Sequence, residues 1–258
     1  DKEFFASHPD KELFSKVPVV EEIEYKFKNV AEALGLLTGT RKALKYSEPV
    51  KDSDFRKQNK ARKARLAQKP FEIRIHGRGG QGAVTAANAL AKLCAEAFEL
   101  FAQGMPLFGG ERLKAPVKAF LRISGRRIKN RTPVMEPEIV CVLNESLLGI
   151  VPVAEGLVQE TLTQEDLAER DEIVSAFKPG GMLVINTARA PADVRKELEA
   201  QGIKTLGMRI FTVNAASIGN EYIGSGAPVN IIMSAVVVRI LQLTRVDLDM
   251  EVSIDYLI

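Results

Sequence analysis

The segment FEIRIHGRGGQGAVTAA, residues 71–87, constrains the fold more than any other stretch. Phe71, Ile73 and Ile75 alternate and predict a short strand. A glycine cluster follows. AVTAANALAKLCAEA (83–97) then predicts a helix whose small residues would press onto a sheet. Gly77, Gly79 and Gly82 fit the spacing G-x-G-x-x-G between strand and helix, the context that gives the pattern meaning. Gly77 permits the tight turn. Gly79 and Gly80 remove the side chains that would keep backbone N–H groups from a ligand, and Gly82 lets the helix sit close to its strand. The unpaired N–H groups and the dipole at the helix start favour an anion. Three readings stay open: a turn that only packs strand to helix, a seat for a phosphate-bearing ligand, or a protein interface.

The rest of the chain alternates apolar strands with helices. FELFAQ (98–103), VKAFLRIS (117–124), EIVCVLN (138–144), MLVINT (182–187) and IKTLGMRI (203–210) read as strands. LTQEDLAERDEIVSAF (162–177), APADVRKELEAQG (190–202) and APVNIIMSAVVVRILQLT (227–244) read as helices, and GMPLFGGERLKAP (104–116) as a loop. This order predicts an α/β fold: a doubly wound, mostly parallel Rossmann-like sheet. The segment 117–131 adds an antiparallel hairpin insertion, with GRRIKNR as its continuation.

Residues 1–70 differ and are expected to form an N-terminal extension to an α/β domain at 71–258. Apolar residues at helical spacing in 20–44 predict one or two short helices. KDSDFRKQNKARKARLAQK (51–69) carries eight Lys or Arg against two Asp. It reads as a basic arm for phosphate or an acidic partner, as a solvated helix or linker, or as an arm lying across another subunit.

A nicotinamide site would need an acidic residue at the end of the second strand. Glu99 is nearest, but it stands at the beginning of FELFAQ. Arg78 inside the turn suits phosphate and equally suits an ion pair with a neighbouring subunit. His76 at a strand end reads as structural. Ser217 and Ser225 lack a nucleophile-elbow pattern. Glu111 and Arg112 read as part of an internally bonded loop, and no catalytic residue is assigned. Cys94 and Cys141, with His8 and His76, cannot build a closed zinc site or ligate an iron–sulfur cluster alone. Both cysteines lie in apolar segments and read as free buried thiols. A net charge of +3 is too mild to imply nucleic acid. No apolar run of about 18 residues marks a membrane span, and the N-terminal residues show no signal-peptide core. A cytoplasmic protein without nucleic-acid or membrane partners is expected.

Together these motifs resemble the gamma subunit, or gamma domain, of the 2-oxoacid:ferredoxin oxidoreductase family, the pyruvate:ferredoxin oxidoreductase group. FEIRIHGRGGQGAVTAA is similar to that family's opening. MPLFGGERLKAPVKAFLRIS resembles its F-G-x-E-R-x-G-A-P-V segment, and NRTPVMEPEIVCVLN its R-x-x-x-x-x-P-D-x-V strand start. GGMLVINT and APVNIIMSAVVVRI resemble its I-N-T strand and V-N-x-x-M-x-G-A helix, so the likeness spans roughly 71–245. Lys114 and Ser234 stand where the family usually has Gly, and Glu138 where it has Asp.

The resemblance implies a non-catalytic or coenzyme-A-positioning subunit of a complex that oxidatively decarboxylates a 2-oxoacid, pyruvate-type or oxalate. Thiamine diphosphate, Mg2+ and 4Fe–4S clusters would belong to the complex, with alpha, beta and delta (ferredoxin-like) parts as partners and ferredoxin as electron acceptor. Candidate phosphate or CoA contacts are Gly77, Arg78, Gly79, Gly80, Gln81, Gly82, Arg112 and Lys114. The alternatives are a stand-alone Rossmann-type nucleotide-dependent oxidoreductase and a basic binding module acting through 51–69.

Overall fold

Eight strands form one mixed sheet in this computed structural model, which describes residues 19–21, 26–27, 52–108, 115–150, 163–175, 177, 180–222 and 228–248. In chain order the strands are β1 (Val19–Glu21), β2 (Lys26–Phe27), β3 (Phe71–Arg78), β4 (Phe101–Phe108), β5 (Pro116–Ser124), β6 (Ile139–Val142), β7 (Met182–Asn186) and β8 (Arg209–Val213). The helices are α1 (Asp52–Gln68), α2 (Ala83–Glu96), α3 (Gln164–Ser175), α4 (Pro191–Ala200), α5 (Ala215–Tyr222) and α6 (Val229–Gln242), with a 3-10 turn at Glu145–Leu148.

The strand order is β2-β1-β8-β7-β6-β3-β5-β4. β3, β6, β7 and β8 pair in parallel, and β6 and β7 at their centre are the continuous apolar runs expected of strands covered on both faces. β5 runs antiparallel between β3 and β4 and forms a hairpin with β4. The hairpin therefore joins 101–108 to 116–124, and residues 125–131 after β5 contain no strand. Of the region expected to be helical at 20–44, Val20–Glu21 and Lys26–Phe27 are extended instead, and the remainder lies outside the described residues.

Helices cover both faces, as a doubly wound sheet demands. On one face α2 buries Ala83, Ala86, Ala87, Leu90, Leu93 and Cys94, spaced to make one stripe, against Phe71, Ile73 and Ile75. α6 lies beside it with Ile232, Met233, Val236, Val237 and Ile240 in the same cluster. On the other face Val140, Val142, Leu183, Ile185 and Ile210 pack with Ile173 of α3 and Val194 and Leu198 of α4.

α1 does not float as a solvated helix. Phe55, Asn59, Arg62 and Leu66 follow one helical stripe, and the last three are buried. The Arg62 guanidinium donates to Asn59 Oδ1 at 3.0 Å and to the carbonyls of Val246 and Asp247, and it lies 5.0 Å above the Phe98 ring.

Candidate functional site

The parallel strands change direction of travel between β3 and β6. From β3 the chain moves to β4 and β5 on one side; from β6 it moves to β7 and β8 on the other. Ligands of open α/β sheets sit in the crevice outside the carboxyl ends of strands at such a switch point. Here that crevice is bounded by the turn after β3, residues 79–82, and by the 3-10 turn after β6. Asn144 opens the latter, its side chain accepting the Ser146 amide at 3.0 Å.

The glycine turn is tightly determined. Gly80 and Gly82 have φ of 91° and 78°, the left-handed region that glycine alone enters freely. A Cβ on Gly82 would stand 2.6 Å from Asn230 Nδ2 at the start of α6, so two helix N-termini meet here. A Cβ on Gly80 would meet no atom of the described residues within 4 Å. The Gly79 amide donates to Ala115 O at 2.9 Å, and the Gln81 amide to Arg78 O at 3.0 Å. Gln81 Oε1 in turn accepts the Arg78 amide at 2.7 Å. Gly82 brings no side-chain cap to α2, whose first intrahelical bond runs from Ala86 N to Gly82 O. The amides of its first turn have no intrahelical acceptor, and the dipole there favours negative charge.

Arg78 does not reach into the turn's mouth. Its guanidinium lies 2.9 Å from Asp166 Oδ1 and donates to Ser146 Oγ at 2.9 and 3.1 Å. This pair begins a row of ions across the β3–β5 half of the sheet, beneath α3. His76 Nδ1 meets Glu169 Oε1 at 2.6 Å; Lys118 bridges Glu169 (3.1 Å) and Glu172; Arg74 lies 3.4 Å from Glu172. Asp166, Glu169 and Glu172 recur every three residues, which places one acidic stripe of α3 over one basic row of the sheet.

Burial pushes the His76 pKa below the ordinary histidine value, against the opposing pull of Glu169, so the ring is neutral and donates from Nδ1. Among the described residues its buried Nε2 has no hydrogen-bond partner. Burial alone would raise Glu169, but the bonds from His76 and the Lys118 charge outweigh it and hold the carboxyl below its usual range. Asp166 is likewise depressed: burial opposes ionisation, and bonds from Thr163 and Arg78 overcome it.

Of the sequence-derived site residues, Gly79, Gly80, Gln81 and Gly82 form the turn; Gly77, expected to make the tight turn, is instead extended within β3 opposite Val117; Arg78 faces α3, and Arg112 and Lys114 lie outside the described residues, as does Glu111. Glu99 precedes β4 at the end of the sheet where β3 begins, the opposite end from the turn, and pairs with Lys63 at 2.7 Å, so it offers no ribose contact. Ser217 lies on α5, and Ser225 lies outside the described residues. Sequence reasoning missed Ser146, Asp166 and Asn230, and the charged alternation Glu72, Arg74, His76, Arg78 on β3 was the available signal for the first two. Cys94 and Cys141 are free and buried, with thiols pushed up to about 12, which suits packing and not cluster ligation. Among the described residues no group of three His, Cys, Asp or Glu could hold a metal ion. No helix among them is long and apolar enough to cross a membrane.

A family model described as pyruvate ferredoxin/flavodoxin oxidoreductase matches residues 72–255, from β3 past α6. The chain belongs to this family. Within it, the chain is 39% identical over 154 residues to the pyruvate/ketoisovalerate oxidoreductases common subunit gamma of Thermococcus litoralis, covering 60% of this chain and 69% of that one. It is 37% identical over 155 residues to the pyruvate synthase subunit PorC of Methanosarcina barkeri, covering 59% and 68%. Among solved structures, the pyruvate oxidoreductase subunit PORC of Thermotoga maritima matches at 27% identity with a TM-score of 0.46, over 73% of this chain and 93% of that one.

Proposed function

We propose that this chain is the gamma subunit of a thiamine-diphosphate-dependent 2-oxoacid:ferredoxin oxidoreductase, and that its glycine turn seats the diphosphate of coenzyme A. The family match and the gamma-subunit relatives support the first half. The observation that carries the second is the placement of the Gly80–Gly82 turn and the open N-terminus of α2 at the switch point between β3 and β6. Backbone N–H groups of that turn and of the first turn of α2 would hold the phosphates. Arg78 acts from behind, fixing the turn to α3 through Asp166 and to the 3-10 turn through Ser146. Coenzyme A supplies the thiol that accepts an acyl group. This chain's own residues bind and orient it, and the decarboxylation belongs to the alpha and beta parts.

Gly80 gives a direct test, because among the described residues no atom lies within 4 Å of a Cβ placed there, so a side chain can be added without disturbing the turn. In the assembled complex, Gly80→Asn should raise the KM for coenzyme A about tenfold or more, with the KM for the 2-oxoacid and subunit assembly unchanged. Asparagine tolerates the left-handed backbone better than other side chains do. An unaltered KM for coenzyme A in a correctly assembled complex refutes the seat.

A further inference from the structure

β4 ends the sheet, and among the described residues no strand pairs with its outer side. Edge strands are usually kept from joining other chains by lysines, by bulges or by being very short. β4 has none of these. It is eight residues long, FAQGMPLF, it pairs with β5 at every position, and it carries no charge. Pro106 shows which of its backbone groups are free. The ladder to β5 runs through Pro106 opposite Ala119 without a break, although proline has no N–H. Its nitrogen therefore faces the open edge. Both backbone groups of a residue in an antiparallel ladder point the same way, so Ala102, Gly104 and Pro106 turn theirs outward.

The side chains divide the other way. Phe101, Gln103, Met105 and Leu107 lie on the face that carries Arg122 and Lys118, the β5 partners of Gln103 and Leu107, which is the face covered by α3. Ala102, Gly104 and Pro106 lie on the α2 face, where a Cβ on Gly104 would stand 2.7 Å from Asn88 Oδ1. Phe101 and Leu107 are 48% and 41% exposed, large apolar side chains at either end of one uncharged edge. Single apolar residues on a surface need no explanation, but two on one free strand mark a contact.

We propose that β4 pairs antiparallel with β4 of a second copy of this chain, about a two-fold axis through Gly104, so that the two sheets become one. The strand is its own complement in this register. Gly104 stands opposite the partner's Gly104, Ala102 opposite the partner's Pro106, Gln103 opposite the partner's Met105 and Phe101 opposite the partner's Leu107. The Gly104 amides donate to each other's carbonyls, and each Ala102 amide donates to the partner's Pro106 carbonyl. Proline costs only the reverse bond at each end. Phe101 and the partner's Leu107 form a pair without backbone bonds between them, the kind whose side chains approach most closely, so both exposed apolar groups are covered at once. The axis runs perpendicular to the sheet and keeps like faces together, which makes one apolar stripe of the two. On the other face only Ala102, Gly104 and Pro106 meet, and they are small. Each copy spends the same edge on the other, so the assembly closes at two. The inference does not rest on the coenzyme A reading, since β5 separates this edge from β3 and its turn.

Analytical ultracentrifugation of the full chain should give twice the 28.3 kDa chain mass. Leu107→Glu puts a carboxylate against the partner's Phe101 and should raise the dimer dissociation constant about tenfold or more. Leu206→Glu makes the same change at a side chain that is 99% exposed before β8 and should leave the dimer intact. The register has its own check. Residues opposed without backbone bonds have Cα atoms about 4.5 Å apart, within reach of a disulfide. Phe101→Cys mixed with Leu107→Cys should therefore give a cross-linked dimer on mild oxidation, and neither variant should link by itself. Cys94 and Cys141 are buried and do not compete. The same link should form when the two variants are assembled with the other subunits of the complex. Should Leu107→Glu compromise folding by circular dichroism, the mixed-cysteine link still decides. A monomeric parent chain, an equal loss in Leu206→Glu, no link in the mixture, an equal link with one variant alone, or a link to a different subunit overturns the proposal.

Discussion

Asp166 joins Arg78 to the start of α3. One oxygen lies 2.9 Å from the Arg78 guanidinium, and the other accepts the Thr163 amide at 3.0 Å and its hydroxyl at 2.8 Å. The Thr163 hydroxyl reciprocates by accepting the Asp166 amide at 3.1 Å, which completes a capping box. A single carboxylate thus caps α3 and tethers the residue that leads into the glycine turn.

Replacing Asp166 should therefore cost more than a helix cap alone. A lost cap costs about 1 kcal/mol, and a mostly buried Arg78 left without its carboxylate adds about 1–2 kcal/mol. Asp166→Ala should lower stability by about 2–3 kcal/mol in urea unfolding. Paired with Arg78→Met in a double-mutant cycle, it should show a coupling of about 1 kcal/mol or more. Coupling near zero would mean that the turn and α3 are held independently.

The buried His76 makes stability sensitive to mild acid. Its folded pKa is depressed, so below the unfolded histidine pKa of about 6.5 the unfolded chain takes up a proton that the folded chain refuses. The histidine's contribution is complete above that pH and declines as pH falls toward the folded value, by at most about 1.4 kcal/mol per pH unit. Asp166 and Glu169, also depressed, keep their contributions until pH falls below about 4. The urea midpoint should drop measurably between pH 7.5 and 5.5 in the parent chain and by clearly less in His76→Gln. Equal drops in both would assign the acid sensitivity elsewhere.

The strand–turn–helix around the glycines was legible because its signals agree: alternating apolar residues, three spaced glycines and a helix of small residues. β6 and β7, buried on both faces, were legible for the same reason. β4 was not. Gly104 and Pro106 read as loop, yet an edge strand with one unpaired side accommodates a proline. Phe98 and Leu100, read as strand, are buried in the connection from α2 to β4. β8 was placed too early, because Gly207, with φ of 78°, ends a turn before Arg209 that apolar content alone does not reveal. The ionic row on β3 is hidden from any reading that tracks hydrophobicity, since the charged residues at 72, 74, 76 and 78 look like a solvent face. The partners of Arg74, His76 and Arg78 lie on α3 and that of Glu72 is Arg122 on β5, and only the fold brings them together.

α1 was opaque for a related reason. Its inward stripe is Phe55, Asn59, Arg62 and Leu66, so two of four core-facing positions are polar and the periodicity vanishes among the lysines. Arg62 is the informative one. Its guanidinium satisfies the carbonyls of Val246 and Asp247, where the chain turns after α6, while Asp247 itself sits at φ of 50°. Arg62→Met would keep much of the volume over Phe98 but leave those carbonyls without their donor. The expected loss is about 2–3 kcal/mol by urea unfolding, with earlier tryptic cleavage at the lysines of α1 than in the parent chain. Lys57→Ala on the exposed side of the same helix should stay within about 0.5 kcal/mol of the parent. If Arg62→Met is as stable as Lys57→Ala, the hydrogen bonds to the turn after α6 do not hold α1 in place.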